Sequence, residues 1–312
     1  MGRSHPMLKL LPSVTCIKAY AVINVPMTII AYTFYLALLW ISVSVSPTNY
    51  SAAHAFECSI FSMKNLILLF GISSLTDSRE DLISRSKSDE NEQLPDSNLD
   101  VRLVLSSVIT FSMIETVTYN LAKAMSLIAY STVPESISYS NFIPSCLRFY
   151  GTFIAVSFTV EIIFDFFHYW SHRILHEKTF LYRSLHSLHH HNTNPTVFHT
   201  FNDSILGTIF TNTLPHLLAL SILKLLIGRP IYNVEHCFLL VYKTFVEVSG
   251  HTGKALGKAS SFPQFKWLPV YFGIELYTSD HHLHHRNSKK NFSKRFSLWD
   301  KVFGTYLLKK DI

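Results

Sequence analysis

Several apolar segments are long enough to cross a lipid bilayer, and they constrain the fold more than any other feature of this sequence. A helix of about 20 apolar residues spans the hydrocarbon core of a membrane. The sequence predicts such segments at 20–45, 56–72, 103–130, 147–167, 205–227 and 234–248. Charged residues interrupt the second and third segments, and the last is short, so we expect four to six crossings. The predicted fold class is therefore all-α, a polytopic membrane protein.

The composition agrees with a membrane protein. Of the 312 residues, 48% are hydrophobic and only 15% are charged. The net charge of +6 comes from short juxtamembrane stretches and from the tail, not from one aromatic-studded face, which favours lipid headgroups over nucleic acid as the partner. The cysteines are scattered singly, without the paired spacing of a disulfide framework or a zinc finger.

A polar stretch divides the chain. Residues 77–100 mix both signs of charge with Ser, Asn and Pro, which predicts a solvated loop between two membrane hairpins. We therefore expect N-terminal membrane helices over 1–146, including this loop, and a histidine-rich unit over 147–312.

The distribution of Lys and Arg predicts the orientation. Arg3, Lys9 and Lys18 precede the first segment, the connections 46–55 and 131–146 contain no Lys or Arg, and eleven follow Gly250. By the positive-inside rule, both termini and all the histidine clusters face the cytosol, which requires an even number of crossings. Lys309 and Lys310 resemble a cytosolic dilysine retrieval signal, so we expect a multi-pass protein of the endoplasmic reticulum membrane.

Histidines cluster beyond the apolar segments. Residues 167–191, FHYWSHRILHEKTFLYRSLHSLHHH, contain seven of the seventeen histidines of the chain. His172 and His176 are four residues apart, so on a helix they share one face, and His168 extends that face by one turn. The pattern His-x-x-His-His occurs twice, at His186, His189 and His190 and again at His281, His284 and His285.

Repetition of this pattern predicts a site for two metal ions. We expect the first two histidines of each unit to share a helical face and the third, turned by about 100°, to reach a second ion. Neutral imidazole suits Fe, Zn and Cu, and the lack of paired cysteines argues against an iron–sulfur cluster or a Cys-type zinc site. Iron is favoured because oxidation of an unactivated C–H bond needs redox chemistry that zinc lacks.

These motifs resemble the fatty acid hydroxylase and sterol desaturase superfamily of integral membrane di-iron oxidases. The resemblance covers about residues 147–306 and rests on DFFHYWSHRILH, HSLHHH, SGHTG, DHHLHH and WDKVFGT, in that order. The SGHTG element and the tail NFSKRFSLWDKVFGT are most similar to the sterol-acting branch, which includes C4-methyl sterol oxidases and cholesterol 25-hydroxylase-like proteins. The resemblance implies that 147–312 is the catalytic domain. It implies as metal ligands His172, His176, His186, His189, His190, His251, His281, His284 and His285.

The roles of four further histidines stay open. Many relatives have another ligand that would align nearer Ser204 than His199, so His199 is either a ligand from a shifted position or none. Three of them, His168, His191 and His282, flank these histidine motifs. Each is either a spare ligand or a polar residue at the wet membrane interface.

Carboxylates beside the boxes are expected to orient the imidazoles, because a ligating histidine usually donates its other N–H to a carboxylate or a carbonyl. The candidates are Asp165, Glu247 and Asp280. For Trp299 and Asp300, a capping and docking role is favoured over a catalytic one.

The resemblance implies a membrane oxygenase that hydroxylates or desaturates a lipid, with a sterol favoured, by using two Fe ions and O2. The sequence has no dinucleotide fingerprint, so electrons ultimately from NAD(P)H would arrive through a b-type cytochrome or a reductase. One alternative is a fatty acyl or sphingolipid substrate. Another is a non-catalytic protein that binds or carries zinc, which is disfavoured because transport ligands would lie within the spans.

Overall fold

Four long helices form the first half of the molecule. The computed structural model describes residues 14–45, 50–77, 100–129, 142–254 and 261–307. The helices are α1 (Val14–Ser44), α2 (Tyr50–Thr76), α3 (Val101–Ala124) and α4 (Phe142–Glu177), with a two-residue strand β1 (Ile128–Ala129) before α4. Asp100 caps α3 by accepting hydrogen bonds from the backbone N–H groups of Arg102 and Leu103. The rest of the predicted polar loop, residues 78–99, lies outside the described residues, as do Arg3, Lys9, Lys309 and Lys310.

Shorter elements follow α4. They are α5 (Thr179–Leu181), a π-helical turn (Tyr182–His186), two 3₁₀ turns (His189–His191 and Val197–His199), α6 (Ile205–Thr208), a second π-helical turn (Ile209–Thr213), α7 (Leu214–Ile227), β2 (Ile231–Tyr232), α8 (Asn233–Gly250), a 3₁₀ turn (Pro263–Phe265), α9 (Trp267–Phe272), α10 (Thr278–Arg286) and α11 (Leu298–Val302). β1 and β2 pair in parallel. The architecture is thus all-α apart from this short pair, as predicted.

Five helices in the described ranges are long and apolar enough to cross a membrane, which confirms a polytopic membrane protein. They are Tyr20–Ser44, Tyr50–Thr76, Val101–Ala124, Phe142–Glu177 and Ile205–Ile227. The 36 residues of α4 extend for about 54 Å, well beyond the hydrocarbon core, so its last turns project out of the membrane. Those turns contain the first predicted histidines.

α8 is a sixth helix of bilayer length. Its 18 residues extend for about 27 Å. It packs against α1 and α2, and most of its residues are buried. Because neighbouring helices shield it from lipid, α8 accommodates Lys243 and Glu247, which an exposed span would not.

The start of α1 and the chain after α8 lie at the same end of the bundle. The Asn24 amide donates to the carbonyl of Pro263 at 3.0 Å, and the Tyr20 hydroxyl donates to that of Gln264. Tyr242 of α8 donates to Asn24 Oδ1 at 2.6 Å. The start of α1 and the segment after α8 are therefore held side by side by hydrogen bonds.

Buried polar groups also occur between the spans, and we call Lys64, Asn65, Glu115, His216 and His236 the intramembrane polar layer. Lys64 Nζ lies 3.0 and 3.1 Å from the two carboxylate oxygens of Glu115, and the Asn65 amide donates to the same carboxylate at 2.8 Å. The Nε2 atoms of His216 and His236 are 3.0 Å apart. The charges of Lys64 and Glu115 thus neutralise each other inside the bundle, and Asn65 adds a hydrogen bond to the pair.

Candidate metal centre

The last turns of α4 provide the first two imidazoles. His172 and His176 are one helical turn apart, and His172 is 4% exposed. The Nε2 atoms of the two rings lie 3.2 Å apart. The structure therefore places this pair on one helical face, as the spacing predicts.

A π-helical turn and a 3₁₀ turn position the box at 186–190. The Ser204 hydroxyl donates to the carbonyl of Leu185 at 2.7 Å, which ties the start of α6 to the π-helical turn. Gly207 lies so close that a Cβ atom on it would overlap the same carbonyl oxygen. Glycine at this position therefore allows α6 to support the turn that ends at His186.

α8 and α10 contribute the remaining imidazoles. His251 directly follows the last turn of α8, where Nδ1 donates to the Glu247 carbonyl at 2.8 Å. Asp280 accepts the backbone N–H of Tyr277 at 2.9 Å and so caps the N-terminus of α10. α10 then presents three histidines from little more than one turn, at 281, 284 and 285.

Nine histidines converge in two groups, and within each group the ligand nitrogens all lie within 4.8 Å of one another. The first group consists of His172, His176, His186, His190 and His284. The second consists of His189, His251, His281 and His285. These are the nine residues that the family resemblance implies as ligands. Their assignment as ligands stays a proposal, and we call the groups the first and the second histidine group.

The Nε2 atoms face one another across each group. In the first group, His172 Nε2 is 3.0 Å from His186 Nε2, and His284 Nε2 is 3.1 Å from His190 Nε2. In the second, His281 Nε2 is 3.1 Å from His251 Nε2 and 3.3 Å from His285 Nε2. At most one nitrogen of each pair has a proton to donate, so these groups present more lone pairs than the rings can satisfy among themselves.

Backbone carbonyls orient the rings from behind. Nδ1 of His172 donates to the Phe292 carbonyl at 2.8 Å, and Nδ1 of His284 donates to the Lys290 carbonyl at 2.7 Å. His251 makes the same kind of bond through its Nδ1. A neutral imidazole that donates from Nδ1 has its lone pair on Nε2, directed into the group.

Burial keeps these imidazoles neutral. It lowers the pKa of His251 and of His284 to about 4, and in both the nearby carbonyl only partly opposes the loss of solvation. The pKa values of other members lie well below the usual value because of burial and, secondarily, repulsion between neighbouring imidazolium charges; these are His186, His189, His281 and His285. Neutral rings with inward lone pairs are what a divalent cation requires.

The division of the boxes differs from the prediction. In the box at 281–285, the first and third histidines belong to the second group and His284 to the first. Positions four apart on an α-helix differ by about 40° and positions three apart by about 60° in the opposite sense, so His281 pairs with His285. In the box at 186–190, His189 is likewise separated from its two companions. The expectation that each box serves two sites agrees with the geometry; the pairing within each box was wrong.

The open histidines lie outside both groups. His168 is 4% exposed and its Nδ1 donates to the Thr211 carbonyl at 2.7 Å, in the second π-helical turn. His199 Nδ1 accepts the backbone N–H of Thr196 at 3.1 Å. His282 is buried, and His191 is exposed. None of these four joins a group of converging ligand nitrogens in the described residues.

The three predicted carboxylates bind backbone N–H groups or a cation, and not the imidazoles that they were expected to orient. Asp165 accepts the backbone N–H groups of Lys294, Arg295 and Phe296 at 2.7, 2.9 and 3.0 Å. The Glu247 side chain forms an ion pair with Lys294. Asp280 caps α10. The acceptors of His172, His251 and His284 are carbonyl oxygens instead, because the backbone of these tightly packed segments already lies beside the rings.

Asp300 completes the support of the segment 292–296. It accepts the backbone N–H groups of Phe292 and Ser293 at 2.9 and 2.8 Å. The Trp299 indole donates to the Ile162 carbonyl of α4 at 3.1 Å, which agrees with the expected docking role. Asp165 and Asp300 together bind five consecutive backbone N–H groups. They thereby fix the carbonyl that accepts from His172.

Sequence reasoning did not single out three polar residues beside the groups. Lys294, Asn212 and Asp203 line a small cavity with His172, His186, His189 and His281. Lys294 Nζ lies 3.2 Å from Asn212 Oδ1, and burial raises the pKa of Asp203 to about 7. Lys294 and Asn212 are distant in sequence, and no spacing signal connects them.

The donor set fits two cations. Each group offers at least four nitrogens on a sphere small enough for one ion, and the described N–H groups do not satisfy the facing lone pairs. An all-imidazole set suits iron, zinc or copper and excludes none of them by itself.

Comparisons with known proteins agree with this geometry. The family model described as fatty acid hydroxylase matches residues 157–305, which contain all nine histidines. Fatty acid hydroxylase vlmA of a Lecanicillium species is 30% identical over 183 residues, 57% of this chain and 48% of that protein. Very-long-chain aldehyde decarbonylase GL1-8 of Oryza sativa subsp. indica is 28% identical over 278 residues, 83% of this chain and 90% of that protein.

A plant relative matches a shorter part. Sphinganine C4-monooxygenase 1 of Arabidopsis thaliana is 25% identical over 155 residues, 48% of this chain and 53% of that protein. The chain spans about half the length of this relative and of the fungal one. No solved structure matches the chain. Residues 157–305, which contain both histidine groups, are thus similar to the fatty acid hydroxylase family.

Proposed function

We propose that this protein is a membrane-bound oxygenase that hydroxylates or desaturates a lipid with two iron ions and O2. The observation that supports this most directly is the pair of histidine groups at one end of the helical bundle. The similarity of residues 157–305 to the fatty acid hydroxylase family favours iron over zinc or copper for the same nitrogens.

The residues have distinct parts in this function. The first and second histidine groups would each hold one iron through Nε2, and the bonds from Nδ1 to carbonyls set the ring orientation. Bound iron would supply the redox chemistry that activates O2 toward an unactivated C–H bond. The surrounding helices exclude bulk water from the rings, and Asp165 and Asp300 hold the segment against which His172 is oriented.

The relatives favour a long-chain substrate. Their names refer to a fatty acid, a very-long-chain aldehyde and sphinganine, all with long linear hydrocarbon chains. We therefore place a lipid with a long acyl or alkyl chain first. The sterol predicted from the tail motifs remains the alternative substrate.

The proposal also includes an electron donor and a cellular compartment. Reduction of O2 needs electrons from outside the chain, and a b-type cytochrome or a reductase supplied by NAD(P)H is the expected donor. Such a soluble or peripheral donor reaches the irons only if the histidine end faces the cytosol, which the distribution of Lys and Arg favours. The expected compartment is the endoplasmic reticulum membrane.

Metal content and turnover test the proposal together. Protein purified without oxygen should contain about two iron atoms per chain, because one ion cannot use nine imidazoles. A long-chain lipid supplied with O2 and a reductant should yield a product with one added oxygen or one added double bond. The metal-binding alternative would be supported, and the oxygenase contradicted, by folded protein that binds zinc but forms no product when it is loaded with iron.

A further inference from the structure

A cavity of about 520 Å³ lies beside the second histidine group. This volume falls within the range of about 300–1,000 Å³ typical of small-molecule sites. α1 and α2 contribute its outer wall through Val22, Pro26 and Leu75, and α8 contributes its inner wall through Phe245 and Val246. Val22 is 66% exposed and Leu75 71% exposed on the lipid-facing side. Hydrocarbon from the bilayer can therefore enter between the start of α1 and the end of α2.

The cavity touches only one of the two histidine groups. Its lining includes His251 and His281, both of the second group, and no member of the first. A chain bound here places its reacting carbon next to the second group. Two rings of the first group, His172 and His284, are held by the carbonyl oxygens of residues 292 and 290.

The charges along the cavity do not balance. Glu247 and Lys294 both line it and neutralise each other as an ion pair. Lys266 also lines it, and its ammonium lies 5.4 Å from the centroid of the Trp267 ring. In the part of the chain that the structure describes, no carboxylate lies within ion-pair distance of Lys266. The cavity therefore keeps one positive charge without an anionic partner.

A second donor, Ser261, also lines the cavity. Ser261 is only 5% exposed, and its hydroxyl has no hydrogen-bond partner among the described residues. A buried hydroxyl without a partner costs about 1–3 kcal/mol. A ligand oxygen in the cavity would remove this penalty, and an ammonium together with a hydroxyl is the donor set that a carboxylate accepts from.

We propose that this cavity binds a long-chain fatty acid, with its carboxylate at Lys266 and Ser261 and its hydrocarbon chain beside His251 and His281. This inference rests on the proposed function and adds the headgroup class and the site. The rings of Tyr20 and Trp267 are in contact, with centroids 5.0 Å apart, which places Lys266 near aromatic residues of the kind that lie at membrane interfaces. An anionic headgroup can remain there at the membrane surface while its chain enters the protein.

Binding of a fluorescent long-chain fatty acid to the purified full-length chain tests the proposal. Lys266→Gln should weaken binding of the acid about tenfold, the loss of one charge-assisted hydrogen bond. Ser261→Ala should weaken it by a smaller factor. Neither change should affect binding of the methyl ester of the same acid, measured by displacement. Lys178→Gln is the matched control, because Lys178 is exposed and does not line the cavity.

Three outcomes would overturn the proposal: equal affinity for acid and ester, unchanged binding in Lys266→Gln, or displacement of the probe by cholesterol at lower concentration than by the unlabelled acid. Iron content and turnover of a neutral long-chain lipid are measured on the same samples. If these persist while binding is independent of Lys266, the carboxylate site is refuted and the oxygenase stands. If iron is absent from folded protein but acid binding depends on Lys266, the oxygenase fails and the lipid site stands.

Discussion

The two histidine groups and the intramembrane polar layer are both buried polar regions, but their polar atoms face different partners. In the layer, Lys64 meets the carboxylate of Glu115 at 3.0 Å, so a donor meets an acceptor. In the groups, imidazole nitrogens face other imidazole nitrogens, and carbonyls behind the rings accept the Nδ1 protons. The charges of Lys64 and Glu115 therefore need no further partner. Converging lone pairs require a cation.

This difference separates a structural role from a functional one. Two of the layer's residues, His216 and His236, could be confused with metal ligands because their Nε2 atoms are also close. They are only two, and among the described residues no third ligand atom joins them. Number and convergence distinguish a metal site from a hydrogen-bonded pair.

The largest effect is expected at the groups themselves. His284→Ala should abolish turnover and remove iron from the first group. The substitution deletes one ligand nitrogen, and the remaining imidazoles then form an incomplete site. Membrane insertion should not change, since α10 lies outside the spans. Iron analysis and a turnover assay measure both. His54→Ala is the control, because that side chain is 54% exposed, lies in the first turns of α2 and belongs to neither group. A dead His54 variant beside an active His284 variant would refute the site.

The next effect is on stability alone. Lys64→Met leaves Glu115 buried without its cation and should destabilise the protein by about 3–5 kcal/mol. The double change Lys64→Met/Glu115→Leu removes both charges and should recover most of that loss. Thermal unfolding in detergent measures both variants. Iron content per folded chain should stay at the wild-type level, and a loss of iron in the stable double variant would show that the layer and the groups are coupled.

A smaller effect is expected at Asp165, which binds the backbone of the segment behind His172. Asp165→Asn cannot accept the three backbone N–H bonds equally well, so the Phe292 carbonyl loses its fixed position behind His172. Iron affinity should fall about 10–100-fold, the range for residues that orient ligands. Chelator titration measures this. Glu161→Gln is the matched control on the same helix, since the Glu161 carboxylate accepts a hydrogen bond from the Gln264 amide and, unlike Asp165, accepts none of the backbone N–H groups of 292–296. Equal losses in both variants would mean that α4 is only generally weakened.

The smallest effect should come from His216→Leu/His236→Phe. Replacing both members of a hydrogen-bonded pair by apolar groups is nearly neutral, because no buried donor or acceptor is left unmatched. Iron content, measured by elemental analysis of the purified double variant, should equal that of the unmodified protein. A fall by one iron atom would assign these residues to a metal site and remove the distinction between the two regions.

Much of this protein was accessible from the sequence. Long apolar runs predict membrane helices, because a helix in lipid must be apolar over its whole length. The predicted segments correspond to α1 to α4 and the helix over 205–227. The nine histidines that share the two groups were likewise the ones marked by their box spacing and by family resemblance. Ligands that lie within one helical turn have a characteristic spacing, and such spacing can be recognised in the sequence.

Other features were decided only by the tertiary structure. Which histidine joins which group depends on the π-helical turn ended by His186 and on the exact face of α10, neither of which the box spacing specifies. The role of Asp165 depends on a segment about 130 residues away. The cavity beside His251 exists because α1, α2 and α8 leave space there, and no one of them encodes that space alone. Local chemistry follows from neighbouring residues, whereas orientation, support and empty volume follow from how distant segments pack.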